Sequence, residues 1–347
     1  MNNIFNLMKK YNCEEIYFKY DSKTNLRAII AINNTKRGEM CSGGVRLRNY
    51  KSEDEALWDA FNLSLAMTQK CAAINANVGG GKAVIWNKKE EKTPALVKSF
   101  AKFMFKLDGR FRTAVDLGMD FKDGYIIKKE CPYVEGLPQK YGGLGTEGDT
   151  TALGVIKAMR IGAEYLFGTR SLKDKIIGVQ GLGNVGGYMV KFLLEEGANL
   201  IVADIDKNMI TKTKKKYPSV KVVAPDKFLS TKCDILSPCA IGGIINSRTI
   251  RSLKCRMICG SANNQLENPE KDIKQLEKTR ILYLPDYIVN AGGIIQAIVE
   301  MNKGKKEEAI ENTKVIEKNI KYILKEYKKG KKSTLAIADE LVESRLK

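Results

Sequence analysis

The 347-residue sequence contains no histidine. This absence excludes the Ser-His-Asp and Cys-His arrangements of nucleophilic catalysis, and most zinc hydrolases, because each of them depends on an imidazole. It also disfavours enzymes that oxidise 2-hydroxy acids with a histidine base. Any proton transfer must therefore use lysine, aspartate, glutamate, tyrosine or cysteine side chains.

Closely spaced cysteine pairs and long apolar runs are also missing. The eight cysteines form no C-x-x-C pair, so free, mostly buried thiols are expected and a metal site is the alternative that we disfavour. No stretch reaches the roughly 20 apolar residues that a membrane span requires. Met1-Asn2-Asn3-Ile4 lacks the basic and apolar character of a secretory leader. We therefore expect a cytoplasmic protein that has no membrane partner.

Acidic residues are scarce relative to basic ones, 40 against 59, which gives a net charge of +19. Such an excess is compatible with a nucleic-acid partner. The lysines cluster near residues 212–216 and 325–332, in segments predicted to be helical, and no zinc-finger, RNP-like or helix-turn-helix motif is evident. A solvated, lysine-rich surface is the favoured interpretation, and no nucleic-acid partner is expected.

The order of predicted elements divides the chain in two. In residues 1–141, apolar strands alternate with helices, one of which begins at a capping box formed by Ser52 and Glu55. In residues 142–328, short apolar strands alternate with helical segments, which is typical of a parallel sheet covered on both faces. We predict an α/β protein with an N-terminal α/β domain (1–141) and a Rossmann-type doubly wound domain (142–328). A C-terminal helix, 329–347, is expected to pack back on the first domain.

A glycine-rich turn in the second domain predicts a dinucleotide site. It lies between the apolar strand Ile176–Gln180 and a predicted helix, and it consists of Gly181, Leu182, Gly183, Asn184, Val185 and Gly186. Such glycines permit a tight turn and the close approach of a pyrophosphate, which the helix N-terminus also favours. A second strand ends at Asp204, where an acid that binds the ribose is expected. Because this acid would repel the extra phosphate of NADP, NAD is the predicted cofactor; a plain glycine turn is the alternative.

Two lysines are candidates for the chemistry. Lys70 ends a predicted helix, and Lys82 follows three consecutive glycines, residues 79–81. We interpret the glycines as a loop that lets backbone approach a ligand, and Lys82 as the entry to a buried strand. Burial and a second ammonium nearby would lower the pKa of Lys82. From spacing alone, a surface lysine and a functional lysine are equally good interpretations.

Six segments together resemble the glutamate/leucine/phenylalanine/valine dehydrogenase family, and most closely its leucine dehydrogenases. They are residues 67–70, 77–82, 113–118, 178–185, 261–266 and 285–293. The segments occur in the family's order, and the resemblance extends over about residues 7 to 341. It implies NAD-dependent, reversible oxidative deamination of an apolar L-amino acid, of the leucine or phenylalanine type, to its 2-oxo acid and ammonia. It also implies that the active site lies in a cleft between the two domains.

The resemblance further implies roles for individual side chains. Lys70 would pair with the substrate α-carboxylate, and Lys82 would activate water and polarise the reacting carbon. Asp116 would shuttle protons between the amine, water and solvent. Asn264, or its neighbour Asn263, would hold the amino group near the nicotinamide. No metal is needed for this chemistry.

The remaining implied contacts concern the cofactor and the substrate side chain. Thr151 and Asn263 would line the cofactor site. The substrate-binding residues implied by the resemblance are Ser42, Gly43, Gly44, Ala114, Ile294 and Ala297. Ser42 and Ala297 are smaller than their counterparts in leucine dehydrogenases, which predicts a roomier pocket that accepts phenylalanine or methionine. Neighbouring side chains that fill the space would instead leave leucine preferred.

Two further substrate and functional classes stay open as alternatives. Glutamate-specific relatives carry a lysine where this chain has Ser42, so glutamate is disfavoured unless Arg46 or Arg48 binds its distal carboxylate. A basic nucleic-acid-binding or scaffold protein that keeps a dehydrogenase fold is the alternative from another class. The combined presence of Lys70, Lys82 and Asp116 argues against it.

The chain also departs from the leucine dehydrogenase pattern. Val115 stands where those enzymes usually carry an acid, and residues 146–150 replace a hinge segment that contains proline. The chain stops soon after Leu341, without the longer tail of some octameric relatives. We expect a homo-oligomer, a dimer or larger, rather than a specific octamer.

Overall fold

The computed structural model describes residues 4–347. Met1, Asn2 and Asn3, on which part of the leader prediction rests, lie outside the described residues. Two compact units make up the chain: Met1–Thr146 with Ala297–Lys305 and Val342–Lys347, and Glu147–Gln296 with Lys306–Leu341. The domain limits predicted from the sequence, 1–141 and 142–328, stay predictions. The expected packing of residues 329–347 on the first domain also stays a prediction.

The first unit is built around a mixed sheet. Its strands are β1 (Glu15–Asp21), β2 (Leu26–Asn34), β3 (Cys41–Arg48), β4 (Gly79–Trp86) and β5 (Phe111–Val115). The strand order is β1-β2-β4-β3-β5, with β3 parallel to both β4 and β5. The sheet is accompanied by helices α1 (Ile4–Tyr11), α2 (Glu53–Ala73), α3 (Pro94–Phe105) and α4 (Phe121–Glu130). Because β2 and β4 are buried along nearly their whole length, the centre of the sheet is core.

Helix α2 begins where the sequence predicts. The Ser52 hydroxyl accepts a hydrogen bond from the N–H of Glu55 at 3.2 Å, which satisfies one free donor of the first turn. The Glu55 carboxylate accepts from the N–H of Lys51 at 2.6 Å, so the reciprocal half of the capping box is shifted by one residue. The helix continues beyond Lys70 to Ala73 because its last small side chains are fully buried.

The three glycines at 79–81 belong to a strand, so their interpretation as a loop was wrong. Strand β4 already begins at Gly79. A Cβ on Gly79 would lie 2.1 Å from the carbonyl oxygen of Asn34, and one on Gly80 would lie 2.1 Å from the backbone nitrogen of Thr68. The missing side chains thus let β2 and α2 approach the backbone of β4. As a result, Lys82 extends from the middle of the sheet.

The second unit contains a parallel sheet. Its strands are β6 (Ile176–Gln180), β7 (Asn199–Ala203), β8 (Lys221–Val222), β9 (Ile235–Pro238), β10 (Met257–Ile258) and β11 (Leu282–Tyr283). Their order is β11-β10-β9-β6-β7-β8. Read from β8, this is the doubly wound order that reverses direction between β6 and β9, the point where such sheets bind dinucleotides. The predicted fold class, an α/β protein with an N-terminal α/β domain and a Rossmann-type domain, is confirmed.

Helices and short turns connect these strands and follow them. The helices are α5 (Gly148–Phe167), α6 (Asn184–Glu195), α7 (Lys207–Lys216), α8 (Pro225–Phe228), α9 (Pro269–Lys278), α10 (Asp286–Val289), α11 (Gly292–Met301), α12 (Lys306–Asn312), α13 (Lys314–Tyr327) and α14 (Thr334–Leu346). Short 3₁₀ turns occupy Lys89–Glu91, Gln139–Tyr141 and Thr249–Ser252. Within residues 4–347, no helix combines the length and the apolar character that crossing a bilayer requires.

Two breaks divide the helical segment from residue 304 onward. One lies near Gly330, and the other separates α12 from α13 at Thr313. The buried Thr313 hydroxyl donates to the carbonyl of Ile310 at 2.6 Å and accepts from Lys157 Nζ at 2.7 Å. Local side-chain hydrogen bonds of this kind compete with continuation of a helix.

Candidate active site

Lys82 and Asp116, the two predicted catalytic residues, are in direct contact. Lys82 lies in β4 and is 6% exposed, and Asp116 follows the last residue of β5. Lys82 Nζ donates a hydrogen bond to Asp116 Oδ2 at 2.7 Å. Strand β3 separates β4 from β5, so the two side chains meet above β3. Both groups are able to hold or release a proton, and one hydrogen bond joins them.

Gly44 in β3 provides the space for this pair. A Cβ at Gly44 would lie 3.0 Å from Lys82 Nζ and 3.0 Å from Asp116 Cβ. Any side chain at Gly44 would therefore push the pair apart. Gly43 meets a different constraint, since a Cβ there would lie 1.8 Å from the carbonyl oxygen of Gly81. The Gly43-Gly44 pair is thus required by close approach on both sides of β3.

Several other predicted residues share this face of the sheet. Alternate residues of a strand point to the same side, so Ser42 lies on the face of Gly44. Ala114 pairs with Gly44 across β3 and β5 and lies on this face as well. Ser42 is buried and Ala114 is partly exposed. The structure therefore brings Ser42 and Ala114 to the side of the sheet that carries Lys82.

Lys70 lies on the helix that packs against the same face. Thr68 of α2 closely approaches Gly80, two residues before Lys82 in β4. Lys70 follows Thr68 by half a turn, in the last turns of α2, and is partly buried. Its pairing with a substrate carboxylate stays a prediction.

The surroundings shift the pKa of both catalytic candidates. Burial lowers the pKa of Lys82 below its ordinary value of 10.5; Asp116 opposes this effect, and the guanidinium of Arg46 adds to it. Burial alone would raise the pKa of Asp116, but the charges of Lys82 and Arg46 and the hydrogen bond from Lys82 outweigh it. The pKa of Asp116 therefore lies well below its usual range.

Arg46 and Asp59 are parts of this site that the sequence did not reveal. Arg46 Nε donates to Asp116 Oδ2 at 3.1 Å, and Arg46 Nη1 donates to Asp59 Oδ2 at 3.2 Å. Asp59 is only 4% exposed and also accepts a hydrogen bond from Tyr50 Oη at 2.6 Å. The sequence does contain a signal for Asp59. This residue lies among apolar residues of α2, where a carboxylate requires a partner.

In the second unit, the glycine turn has the predicted geometry. Gly181 has a left-handed φ of 88° and follows β6, which requires the freedom of glycine. A Cβ on Gly186 would lie 1.8 Å from the carbonyl oxygen of Gly181, so helix and turn pack closely. Gly183 is exposed at the N-terminus of α6, and open space surrounds the place of its missing side chain. Leu182, Asn184 and Val185 complete the turn and open the helix.

Asp204 follows β7 and is held against this turn. Its Oδ2 accepts a hydrogen bond from the N–H of Leu182 at 2.6 Å, and its Oδ1 accepts from the N–H of Asp206 at 2.8 Å. The carboxylate therefore has a fixed position beside the glycine turn. This is the place at which an acid contacts the ribose hydroxyls in dinucleotide-binding folds.

The other predicted residues of this unit lie at the ends of its elements. Thr151 is buried in the first turn of α5. Asn263 and Asn264 are exposed after β10, and Asn264 adopts a left-handed φ of 51°. Asn290 Nδ2 donates to Asn263 Oδ1 at 2.8 Å and fixes that side chain.

Ile294 and Ala297 are both buried in α11. Their part in a substrate pocket stays a prediction, as do the roles of the other site residues. The cysteines are free, and all but the partly exposed Cys239 are buried, as predicted. Burial raises the pKa of Cys71 to about 12, so this thiol does not act as a nucleophile near neutral pH.

The two sites and the two α/β units define an oxidoreductase of the amino-acid dehydrogenase class, and comparison with known proteins agrees. Residues 13–132 match the model of the Glu/Leu/Phe/Val dehydrogenase dimerisation domain. Residues 142–212 and 202–343 match that of Glutamate/Leucine/Phenylalanine/Valine dehydrogenase. The chain belongs to this family, which confirms the resemblance found in the sequence.

Individual relatives cover almost the whole chain. Phenylalanine dehydrogenase from Caldalkalibacillus thermarum is 43% identical over 96% of this chain and 91% of its own length. Leucine dehydrogenase from Geobacillus stearothermophilus is 39% identical over 99% of this chain and 93% of its own. The crystal structure of L-tryptophan dehydrogenase from Nostoc punctiforme superimposes with a TM-score of 0.85 at 34% identity, covering 99% and 98% of the two chains.

Proposed function

We propose that the protein catalyses the NAD-dependent, reversible oxidative deamination of an apolar L-amino acid to its 2-oxo acid and ammonia. The observation that carries this proposal is the hydrogen-bonded pair of buried Lys82 and partly exposed Asp116 above Gly44. Deamination without histidine needs a lysine and a carboxylate that exchange protons with the amine and with water. These two groups supply that chemistry within one hydrogen bond.

The pair behaves as one proton-transfer unit. The low pKa of Asp116 depends on the charge of Lys82, because burial acts in the opposite direction. Once Lys82 gives up its proton, that stabilisation is lost and Asp116 becomes a better proton acceptor. Lys82 then activates the water that attacks the reacting carbon, and Asp116 moves protons between the amine, water and solvent. Lys70 binds the α-carboxylate, and Asn264 holds the amino group.

The second unit fits a dinucleotide. Exposed Gly183 at the start of α6 lets a pyrophosphate approach backbone N–H groups and the positive end of a helix. The fixed carboxylate of Asp204 suits the two ribose hydroxyls and disfavours a phosphate in their place, so the preferred cofactor is NAD. When bound, NAD would supply the hydride acceptor for oxidation at the α-carbon of the substrate.

An apolar side chain is favoured because the arginines near Ser42 already have acidic partners. Arg46 binds Asp59 and Asp116, and Arg48 pairs with Glu55 at 3.3 Å. The distal carboxylate of a glutamate substrate would therefore compete with these acids for the two arginines, at a cost of several kcal/mol. Glutamate is the second candidate. Among apolar substrates, we propose that phenylalanine and methionine rival leucine because Ser42 and Ala297, both buried, are small.

Two further properties belong to this proposal. The enzyme is a homo-oligomer, at least a dimer, since residues 13–132 match a domain described by its role in dimerisation. It acts in the cytoplasm, where the reducing conditions keep its cysteines free.

A spectrophotometric assay of NADH formation across the L-amino acids tests the proposal. Leucine, phenylalanine, methionine, valine and glutamate are each supplied with NAD or NADP, and Asp204→Ala provides the cofactor control. We expect turnover with the large apolar amino acids, little with glutamate, and higher kcat/KM with NAD than with NADP. An enzyme that oxidises no amino acid with either cofactor contradicts the proposal, and preference for glutamate establishes the second candidate.

A further inference from the structure

A chain of charge-assisted hydrogen bonds extends from the catalytic pair into the core of the first unit. Asp116 accepts from Arg46, and Arg46 donates to Asp59 through its other nitrogen. Asp59 in turn accepts from Tyr50. Strand β3 supplies Arg46 and helix α2 supplies Asp59, while Asp116 follows β5. The chain therefore ties three separate elements to one carboxylate.

We propose that Arg46 is a positioning residue for the deamination reaction: its guanidinium holds the Asp116 carboxylate against Lys82. This inference rests on the proposed function, but it concerns residues to which that function gives no role. Arg46 Nε and Lys82 Nζ donate to the same oxygen, Asp116 Oδ2, at 3.1 and 2.7 Å. The orientation of the carboxylate is thus set from two sides.

The geometry requires an arginine rather than any cation. One planar guanidinium presents donors in fixed directions, so that Nε reaches Asp116 while Nη1 reaches Asp59. A lysine ammonium at Arg46 would keep the charge but lacks this fork. The Arg46 side chain is 20% exposed and the Asp59 side chain 5%, so water screens these bonds little.

Asp59 and Tyr50 fix the guanidinium in turn. Tyr50 is buried, and its hydroxyl donates to Asp59 at 2.6 Å. Burial raises the pKa of Tyr50, and so does the carboxylate of Asp59, which keeps the tyrosine a donor at neutral pH. The network therefore keeps one arrangement of donors and acceptors while the Lys82–Asp116 pair exchanges its proton.

Arg46 also acts on the titration of the pair. Its charge lowers the pKa of Lys82 and that of Asp116. Asp59 on α2 also acts on the pair, and its charge raises the pKa of Lys82. Removing the charge of Arg46 raises the pKa of Lys82, so the pH at which kcat reaches half its maximum should rise. A purely structural residue would not move this midpoint.

The test compares kcat, amino-acid KM and the kcat–pH profile of four variants with those of the wild type. Arg46→Met should lower kcat at least about tenfold, the loss expected for a charge-assisted hydrogen bond, change KM less than about threefold, and move the midpoint to higher pH. Arg46→Lys should lower kcat but leave the midpoint near that of the wild type. Tyr50→Phe should lower kcat about twofold, by loosening Asp59.

Arg48→Met is the matched control. Arg48 lies two residues along β3 and bonds Glu55, not Asp116. Its loss removes the same charge from the same strand. Because the Arg48 guanidinium lies over the Tyr50 ring, kcat should change no more than in Tyr50→Phe, about twofold, and the midpoint should stay that of the wild type. Wild-type kcat and midpoint in Arg46→Met, or an equal shift in Arg48→Met, would overturn the inference.

Two controls keep the result interpretable. If circular dichroism shows that Arg46→Met does not fold, Arg46→Lys decides: wild-type kcat in that variant refutes the positioning role, and a lower kcat at an unchanged midpoint supports it. Amino-acid oxidation by the wild type is measured first. Its absence refutes the proposed function, whereas an active wild type with an unaffected Arg46→Met refutes only the role of Arg46.

Discussion

The two units of this dehydrogenase prepare their sites in different ways. In the first unit, the candidate site is a set of charges that stabilise one another. Lys82 of β4 and Asp59 of α2 are buried, and Arg46 of β3 and Asp116, which follows β5, are partly exposed. In the second unit, the site is mostly backbone, namely a glycine turn, a helix N-terminus and one carboxylate. Side-chain charge shifts pKa values and serves proton transfer. Exposed backbone N–H groups bind a phosphate without exchanging protons.

The difference predicts separable defects. Changes among these charged residues should alter the rate of chemistry, and changes around the glycine turn should alter cofactor binding.

Lys82→Ala should have the largest effect. Because buried Lys82, in contact with Asp116, is the proton-transfer group that we propose, kcat should fall at least about a hundredfold, as is typical when an acid–base group is lost. Steady-state kcat with the best amino acid measures the loss. Lys89→Ala, which removes an exposed lysine beyond the end of β4, is the control and should retain wild-type kcat. A Lys82→Ala enzyme with most of its activity would exclude this role.

Asp204→Ala should affect the other unit alone. The carboxylate that now accepts from Leu182 is removed, so kcat/KM for NAD should fall about tenfold, as expected for a charged hydrogen bond. The value for NADP should fall less because repulsion of the phosphate is relieved. Paired initial rates with NAD and NADP measure how far the difference in kcat/KM between the two cofactors narrows. Equal kcat/KM for both cofactors in the wild type would contradict the assignment of Asp204.

The pH dependence of kcat should reflect the titration of Lys82 in the first unit. Burial lowers the pKa of Lys82 from 10.5, and the lysine must be neutral to accept a proton. At saturating amino acid, kcat should therefore rise with pH, up to about tenfold per unit, and level off below 10.5. The pKa of Asp116 lies well below its usual range. Titration of Asp116 should therefore cause no second change in kcat near pH 4. A kcat that is flat from pH 6 to about 10 would argue against a titrating Lys82.

Ser42→Leu should have the smallest effect, on selectivity only. Ser42 lies buried on the face of Gly44, and a larger side chain there should narrow the substrate pocket. The ratio of kcat/KM for phenylalanine to that for leucine should fall about fivefold, near the lower end expected for a pocket that loses methylene-sized space. Ser52→Ala, at the N-cap of α2, serves as a serine control outside the pocket. An unchanged ratio, or valine exceeding phenylalanine in the wild type, would refute the enlarged pocket.

The same contrast explains what the sequence could predict. The glycine turn and Asp204 are local features, separated by one helix and one strand. Their spacing in the sequence is enough to predict both of them. Lys82 and Asp116 were identified by resemblance, and the structure shows that they touch. Their contact could not be deduced from spacing, because it depends on β3 lying between their strands.

The parts that were missed are nonlocal. Arg46 and Asp116 are 70 positions apart in sequence, and Arg46 was considered only as a partner for glutamate. The glycines at 79–81 were taken for a loop because glycine is uncommon inside strands. Here the crowding of β4 by α2 and β2 makes glycine necessary within the strand. Both facts follow from tertiary packing, which composition and periodicity do not encode.

The most direct test of the separation is a crossed measurement on Lys82→Ala and Asp204→Ala. For each variant, the Kd of NAD is obtained by fluorescence titration, and the rate of NADH formation is obtained in a single turnover with both substrates saturating. Lys82→Ala should keep the wild-type Kd and lose the rate. Asp204→Ala should weaken binding and keep a rate within about twofold of the wild type, since its lost contact precedes the chemistry. Loss of both quantities by similar factors in either variant would contradict the assignment of chemistry to one unit and cofactor binding to the other.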